Sequence, residues 1–278
     1  MQQLLLPTDF SENAWNATKY ALRFFEKKKV TFHFLHIDIS LPSVKEEDLH
    51  VAGFSIKKEI PKHLKDQMEQ WIQRIKSNYP NENHSFEYLI SQTTFISGIR
   101  DYILKKDIDF IIMGTKGASG VKEMTLGSKT GAVITRVKCS ILVIPEEASF
   151  KYPINIGFPT DFNMSYKQKV IDTLYEVTKM FQSSIKVLRV AQTQKPLDNF
   201  QNTKREELKE RLSDIPLSFH VIEDPNLDNA LQSFVTTMQI DMVAMIAKNL
   251  NFFQRILFKP QVAKISYHVQ IPFLVLHE

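Results

Sequence analysis

The chain has 278 residues, enough for two domains at roughly 150 residues each. Its 43% hydrophobic and 24% charged content excludes long disorder. A net charge of +4, divided about evenly between the halves, excludes the strongly basic face of a nucleic-acid binder. The lone cysteine, Cys139, excludes an intrachain disulfide and any zinc site built on paired cysteines, and reads as a small buried apolar residue suited to a reducing compartment. Met1 to Pro7 lacks a basic start and is too short for a signal peptide. No run approaches the roughly 18 apolar residues of a membrane span. The expectation is a cytoplasmic protein with neither membrane nor nucleic acid as partner.

Gln3 to Leu6 reads as a strand stopped by Pro7, and Ser11 as the N-cap of a helix running to about Lys28, with Ala14, Ala17, Leu22 and Phe25 on its apolar side. Val30 to Ile37 is a strand rich in aromatic and β-branched residues. Ser40 to Ile60 mixes Glu46, Glu47 and Asp48 with Val51, Phe54 and Ile56. It reads as a surface excursion, with a lid or a partner-binding flap as alternatives. Pro61 opens a helix to about Ser77. Phe86 to Ile90 is the third strand and Ile96 to Lys106 the third helix. Phe110 to Met113 is a short continuous apolar run, as in a central parallel strand buried on both faces. A glycine-rich loop, a helix from about Ser128 to Val137 and a strand from Ile141 to Ile144 close the unit.

The pattern then returns. Leu4-Leu5-Leu6-Pro7-Thr8-Asp9-Phe10 recurs in Asn155-Ile156-Gly157-Phe158-Pro159-Thr160-Asp161-Phe162, Ile108 to Met113 in Ile240 to Met245, and Ile141 to Ile144 in Phe273 to Leu276. From the second match to the third no gap is needed. A repeat of this length implies two copies of one domain, 1–147 and 152–278, joined near Pro145 to Tyr152. Strands alternating with helices imply doubly wound parallel sheets, whose ligands lie beyond the carboxyl ends of the strands where strand order reverses. Unusual chemistry stands at two such ends, Pro7-Thr8-Asp9 after the first strand and the glycine loop after the fourth.

Of the eight glycines, five fall between Gly114 and Gly131: Gly114, Gly117, Gly120, Gly127 and Gly131. Glycine lets a ligand approach the backbone closely. The loop runs into a helix starting near Ser128, whose free N–H groups and positive dipole end suit a phosphate. Ser128 and Thr130 add hydroxyls, and Lys116 and Lys129 add charge. The alternative is a long loop with turn glycines and an ordinary serine cap. A Walker loop is excluded because Gly127-Ser128-Lys129-Thr130 misplaces the lysine and Lys122 stands where the first glycine belongs. No Gly-x-Gly-x-x-Gly follows a strand, which disfavours a dinucleotide fold.

Gly114-x2-Gly117-x9-Gly127-Ser128 resembles the nucleotide-binding signature of the universal stress protein family. Pro7-Thr8-Asp9-Phe10-Ser11, Leu35-His36-Ile37 and Ile141-Leu142-Val143-Ile144-Pro145 are similar to the same family, and the likeness extends over both halves. The resemblance implies two tandem five-stranded sheets of order 3-2-1-4-5, of the adenine nucleotide alpha-hydrolase-like type, binding ATP or a related adenine nucleotide. By position, Asp9 would contact the nucleoside, Pro7 and Thr8 would shape the wall, and the backbone of Ile37 would meet adenine. Met113, Gly114, Lys116 and Gly117 would line the ribose and first phosphates, and Gly127, Ser128, Lys129 and Thr130 would hold the outer phosphates. Magnesium could travel with the phosphates within reach of Asp9, although it commonly keeps its waters.

In the second copy Ile246 replaces Gly114, Asn249 replaces Gly117, Phe252 replaces Gly120, Lys259 replaces Gly127 and Pro260 replaces Ser128. Pro260 has no N–H to offer a phosphate. The expectation is a site in the first domain only, with the second loop packed by Phe252 and Phe253 or holding another anion through Lys248 and Lys259. Pairing the two fifth strands would cover two apolar edges, and family dimers associate in a similar way, so the tandem resembles a fused dimer; a higher homo-oligomer stays open. The eight histidines form no metal-spaced cluster, and His33 and His36 point to opposite faces of one strand. No catalytic residue or metal ligand is assigned. The primary reading is a nucleotide-responsive binding protein. The alternatives are a slow ATPase or autophosphorylating enzyme using Ser128 or Thr130, and a nucleotide-independent scaffold.

Overall fold

The computed structural model describes residues 1–38, 59–115, 128–191, 196–224, 227–247 and 271–278. Its first half runs β1 (Gln2–Pro7), α1 (Glu12–Phe24), β2 (Val30–Ile37), α2 (Lys62–Asn78), β3 (His84–Ser91), α3 (Phe95–Lys106), β4 (Phe110–Gly114), α4 (Ser128–Arg136) and β5 (Ser140–Ile144). Its second half runs β6 (Asn155–Pro159), α5 (Gln168–Phe181), β7 (Ser184–Ala191), α6 (Asn199–Arg211), β8 (Leu217–Glu223), α7 (Leu227–Thr237), β9 (Met242–Ile246) and β10 (Phe273–Leu276). The excursion 40–60 falls almost wholly outside the described residues. Among the described residues no helix is long and apolar enough to cross a membrane.

Local chemistry accounts for the ends of these elements. Ser11 caps α1, its Oγ accepting from the Ala14 N–H at 3.2 Å. The helix stops at Phe24, short of the expected Lys28, because Phe25 turns into the core, where it is 1% exposed, and the chain reverses with the Lys28 N–H bonded to the Phe25 carbonyl. Pro61 is the residue before α2 rather than its first turn. Non-glycine residues take the left-handed conformation at matching places in the two halves, Phe10 and Phe162 after the first strand and Asp107 and Gln239 after the third helix. From β3 and β8 onward the halves correspond without a gap, and β4 and β9 coincide residue for residue.

The strand order is β3-β2-β1-β4-β5-β10-β9-β6-β7-β8, so each half has the 3-2-1-4-5 order of a doubly wound fold. Among the described residues all pairings are parallel except one: β10 runs antiparallel to β5, with Phe273 opposite Val143, Leu274 opposite Leu142 and Val275 opposite Ile141. This pair of fifth strands joins the two five-stranded halves into one sheet of ten strands among the described residues. Two apolar layers cover its faces, and each crosses the junction. One gathers Leu4, Phe32 and Trp71 with Phe158, Leu174 and Leu274; the other gathers Leu5, Leu35 and Ile99 with Phe234, Val243 and Phe273.

Candidate functional site

Strand order reverses between β1 and β4, and the candidate site lies at their carboxyl ends. Pro7 is the last residue of β1, opposite Leu35, and Thr8 extends the ladder by donating its N–H to the Leu35 carbonyl at 2.9 Å. The Thr8 side chain is buried, and its Oγ1 accepts from the Phe10 N–H at 3.1 Å, closing a tight turn that holds Phe10 at φ 60°. His36 sits at 2.9 Å through Nδ1 from the Thr8 carbonyl, which can only accept, so Nδ1 carries the proton. Asp9 is oriented by Ser11, whose N–H and Oγ–H both reach Oδ1, at 3.2 and 2.6 Å. The Phe10 ring lies 4.8 Å from the His36 ring and 5.8 Å from that of Trp71, and Trp71 packs on Trp15. The Pro7–Phe10 turn is thus held by main-chain, side-chain and aromatic contacts at once.

On the other side of the reversal, Met113 is buried and Gly114 ends β4. A Cβ on Gly114 would lie 2.4 Å from Nδ2 of Asn13. The space that glycine opens is therefore filled from within the protein, by a buried amide on the first turn of α1. Sequence reading missed Asn13, although a signal was present: it is a polar residue on the helical stripe of Ala17, Ala21 and Phe24. The Thr130 hydroxyl, buried, donates to the Gly114 carbonyl at 2.8 Å. It ties the start of α4 to the end of β4, so this hydroxyl is committed to the frame. Ser128 and Lys129 are exposed at the same helix start, and the Lys129 ammonium lies 5.5 Å from the centre of the Phe95 ring. The first-turn N–H groups there have no intrahelical partner.

Ile37, at the end of β2, packs into the layer on the α3 side, so close to Gly98 that a Cβ there would meet its Cδ1 at 2.7 Å. The structure therefore brings Pro7, Thr8, Asp9, Ile37, Met113, Gly114, Ser128, Lys129 and Thr130 to one end of the sheet. Lys116, Gly117 and Gly127 lie outside the described residues. His33 faces away from the site on the opposite side of β2 from His36, bonded to Tyr102 and Gln3. Among the described residues no group of three or more His, Cys, Asp and Glu could hold a metal ion.

The second half repeats the turn but not the space beside it. Thr160 donates to Leu188 at 2.9 Å, Phe162 donates to Thr160 Oγ1 at 3.1 Å, and Phe162 has φ 59°. Here the hydroxyl of Tyr166 lies 2.9 Å from Thr160 Oγ1, and Gln201 from α6 donates to the Asp161 carbonyl at 2.9 Å. Ile246, buried, ends β9 in the place of Gly114. Lys248, Asn249, Phe252, Phe253, Lys259 and Pro260 lie outside the described residues.

The model of the Universal stress protein family matches residues 1–145. A universal stress protein of Methanocaldococcus jannaschii is 28% identical over 158 residues, covering 53% of this chain and 97% of its own. One from Synechocystis is 25% identical over 148 residues, covering 51% of this chain and 96% of its own. A crystal structure of a universal stress protein from Archaeoglobus fulgidus matches 99% of this chain and 98% of its own with a TM-score of 0.68 at 15% identity, a likeness of fold. The family match takes in the turn after β1, the end of β4 and the start of α4, and on it the chain belongs to the universal stress protein family.

Proposed function

We propose that the first half binds an adenine nucleotide, ATP by preference, and that the protein works as a nucleotide-responsive regulatory binding protein. One observation carries this reading. The locked Pro7–Phe10 turn, the end of β4 at Gly114 and the first turn of α4 meet where strand order reverses, the place at which open α/β sheets take ligands. The intact Gly114-x2-Gly117-x9-Gly127-Ser128 spacing supports it. The residues present fit a nucleotide: the α4 start offers N–H groups that have no intrahelical partner, with the exposed Ser128 and Lys129, to phosphates. Asp9, held by Ser11, offers a carboxylate to the nucleoside side, and any magnesium would arrive with the phosphates. Thr130 acts by fixing the helix start, not by presenting its hydroxyl.

The second half has no equivalent site in this reading. A buried isoleucine ends β9, and Tyr166 and Gln201 occupy the turn. Its role is that of a permanent partner for the apolar edge of β5. Calorimetry with ATP on the wild type and on Gly117→Val tests the proposal. Binding by the wild type and its loss in the variant are expected; equal affinity would remove the site assignment. Trp15 and Trp71 are the chain's two tryptophans and both belong to the cluster on Phe10, so intrinsic fluorescence gives a second readout of the same event.

A further inference from the structure

The ladder between β2 and β3 does not stop at the strand ends. Ile37 is paired with Ser91, and the Asp38 N–H donates to the Ser91 carbonyl at 2.9 Å. The next residue, Gln92, is therefore held opposite Asp38, one residue beyond Ile37 at the end of β2. Gln92 is partly buried, and its Nε2 is shielded from solvent with no hydrogen-bond partner. A buried amide donor left without an acceptor costs about 1–3 kcal/mol, and such groups in native structures call for an explanation. Side-chain atoms in the same state elsewhere in the fold include Trp71 Nε1 on a helix, His84 Nδ1 at the start of β3 and His277 Nε2 beyond β10. Gln92 stands where strands end at the proposed site.

We propose that Gln92 reads the nucleobase, its side-chain amide donating to a purine ring nitrogen and accepting from the adjacent 6-amino group. Glutamine carries a donor and an acceptor side by side, and adenine presents the complementary pair. The inference rests on the nucleotide-binding reading above and adds a specificity-determining residue to it. The second half offers a contrast. The gapless correspondence puts Asp224 in the place of Gln92, and an ionised carboxylate has no proton to give a ring nitrogen.

The experiment is calorimetry on the full chain with ATP and with GTP, for the wild type, Gln92→Leu and Gln92→Glu. Glutamate keeps the shape and removes the donor, and the near-ultraviolet signal of Trp15 and Trp71 monitors the fold. Gln92→Glu should bind ATP about tenfold more weakly, the loss of one buried hydrogen bond, and Gln92→Leu, which loses donor and acceptor, at least as much more weakly. GTP affinity should change little, so that discrimination between the two narrows by the same factor. A wild type that binds ATP while both folded variants bind it equally well overturns the role of Gln92 and leaves the nucleotide site standing. Equal losses for ATP and GTP also overturn it, because they mark a residue that shapes the site without reading the base. A wild type that binds neither nucleotide overturns the functional reading itself, and this inference with it.

Discussion

Gly114 and Gly157 are glycines for reasons that lie in their neighbours. At Gly157 a Cβ would come 2.9 Å from Phe234 and 3.1 Å from Ile240, so the missing side chain on β6 admits a large ring from α7. At Gly114 the neighbour is polar, and this changes what the glycine means. Asn13 fills the space at the end of β4 and brings α1 against the site. Gly114→Ala should therefore destabilise the protein by about 1–3 kcal/mol, the usual cost of overpacking a close contact. Asn13→Ala in the same chain should restore most of that loss, because it removes the atom with which the new methyl collides. A double-mutant cycle from urea midpoints reads the coupling directly. Independent, additive losses would show that the glycine answers to something other than Asn13.

One buried histidine joins four elements. His33 on β2 is 1% exposed, with Nδ1 3.0 Å from the Tyr102 hydroxyl of α3 and Nε2 2.7 Å from Gln3 Oε1 of β1. Glu87 of β3 lies 3.5 Å away and is itself bridged to Lys106 at 2.7 Å. Burial holds the imidazole below its ordinary value of 6.5, with Glu87 pulling it up and Lys106 pushing it down. The unfolded chain then takes up the proton first. The contribution of neutral His33 is complete above 6.5 and is lost as the pH falls from there toward the folded value. His84, His220 and His277 are shifted the same way by burial. Unfolding at about pH 7.5 and about pH 5.5 should show His33→Gln losing less stability on acidification than the wild type; an identical loss would clear His33 of any part in it. Such cross-element ties mark the limit of what the sequence discloses. The elements were legible because apolar runs, prolines and glycines punctuate the chain at the right intervals, the strand order only because the residues resemble a family, and the Ser11 cap because a serine precedes an amphipathic run. Thr130 was not, since a hydroxyl on a first helical turn serves a ligand or a neighbouring carbonyl equally well, and only the 2.8 Å contact with Gly114 decides. Asn13 and Gln92 depend on which strand ends lie side by side, and residue type alone does not carry that.

At the scale of the whole molecule, the two halves meet at the β5–β10 pair. Ile141, Leu142, Val143 and Ile144 of β5 are at most 1% exposed, and β10 supplies the strand that covers their edge. Above the sheet, Phe24 of α1 meets Phe181 of α5 at 4.7 Å between ring centres, and Phe150 from the connecting segment packs on both. The Asn16 amide holds that segment down by donating to the carbonyls of Pro145, Glu146 and Ala148, and Gln2 bonds Glu176 across the junction at 2.6 Å. A chain ending at Glu147 would keep the proposed nucleotide site and lose every one of the second-half contacts. It would present an apolar strand edge without proline or charge, the kind of edge that natural sheets avoid leaving open. Two copies pairing β5 with β5 in antiparallel fashion would restore the cover that β10 provides. Sedimentation equilibrium should accordingly find the shortened chain dimeric or aggregated at concentrations where the full chain keeps its own edge closed. A folded, monomeric short chain at high micromolar concentration would mean that β5 tolerates exposure, and the second half would then need a reason other than edge protection.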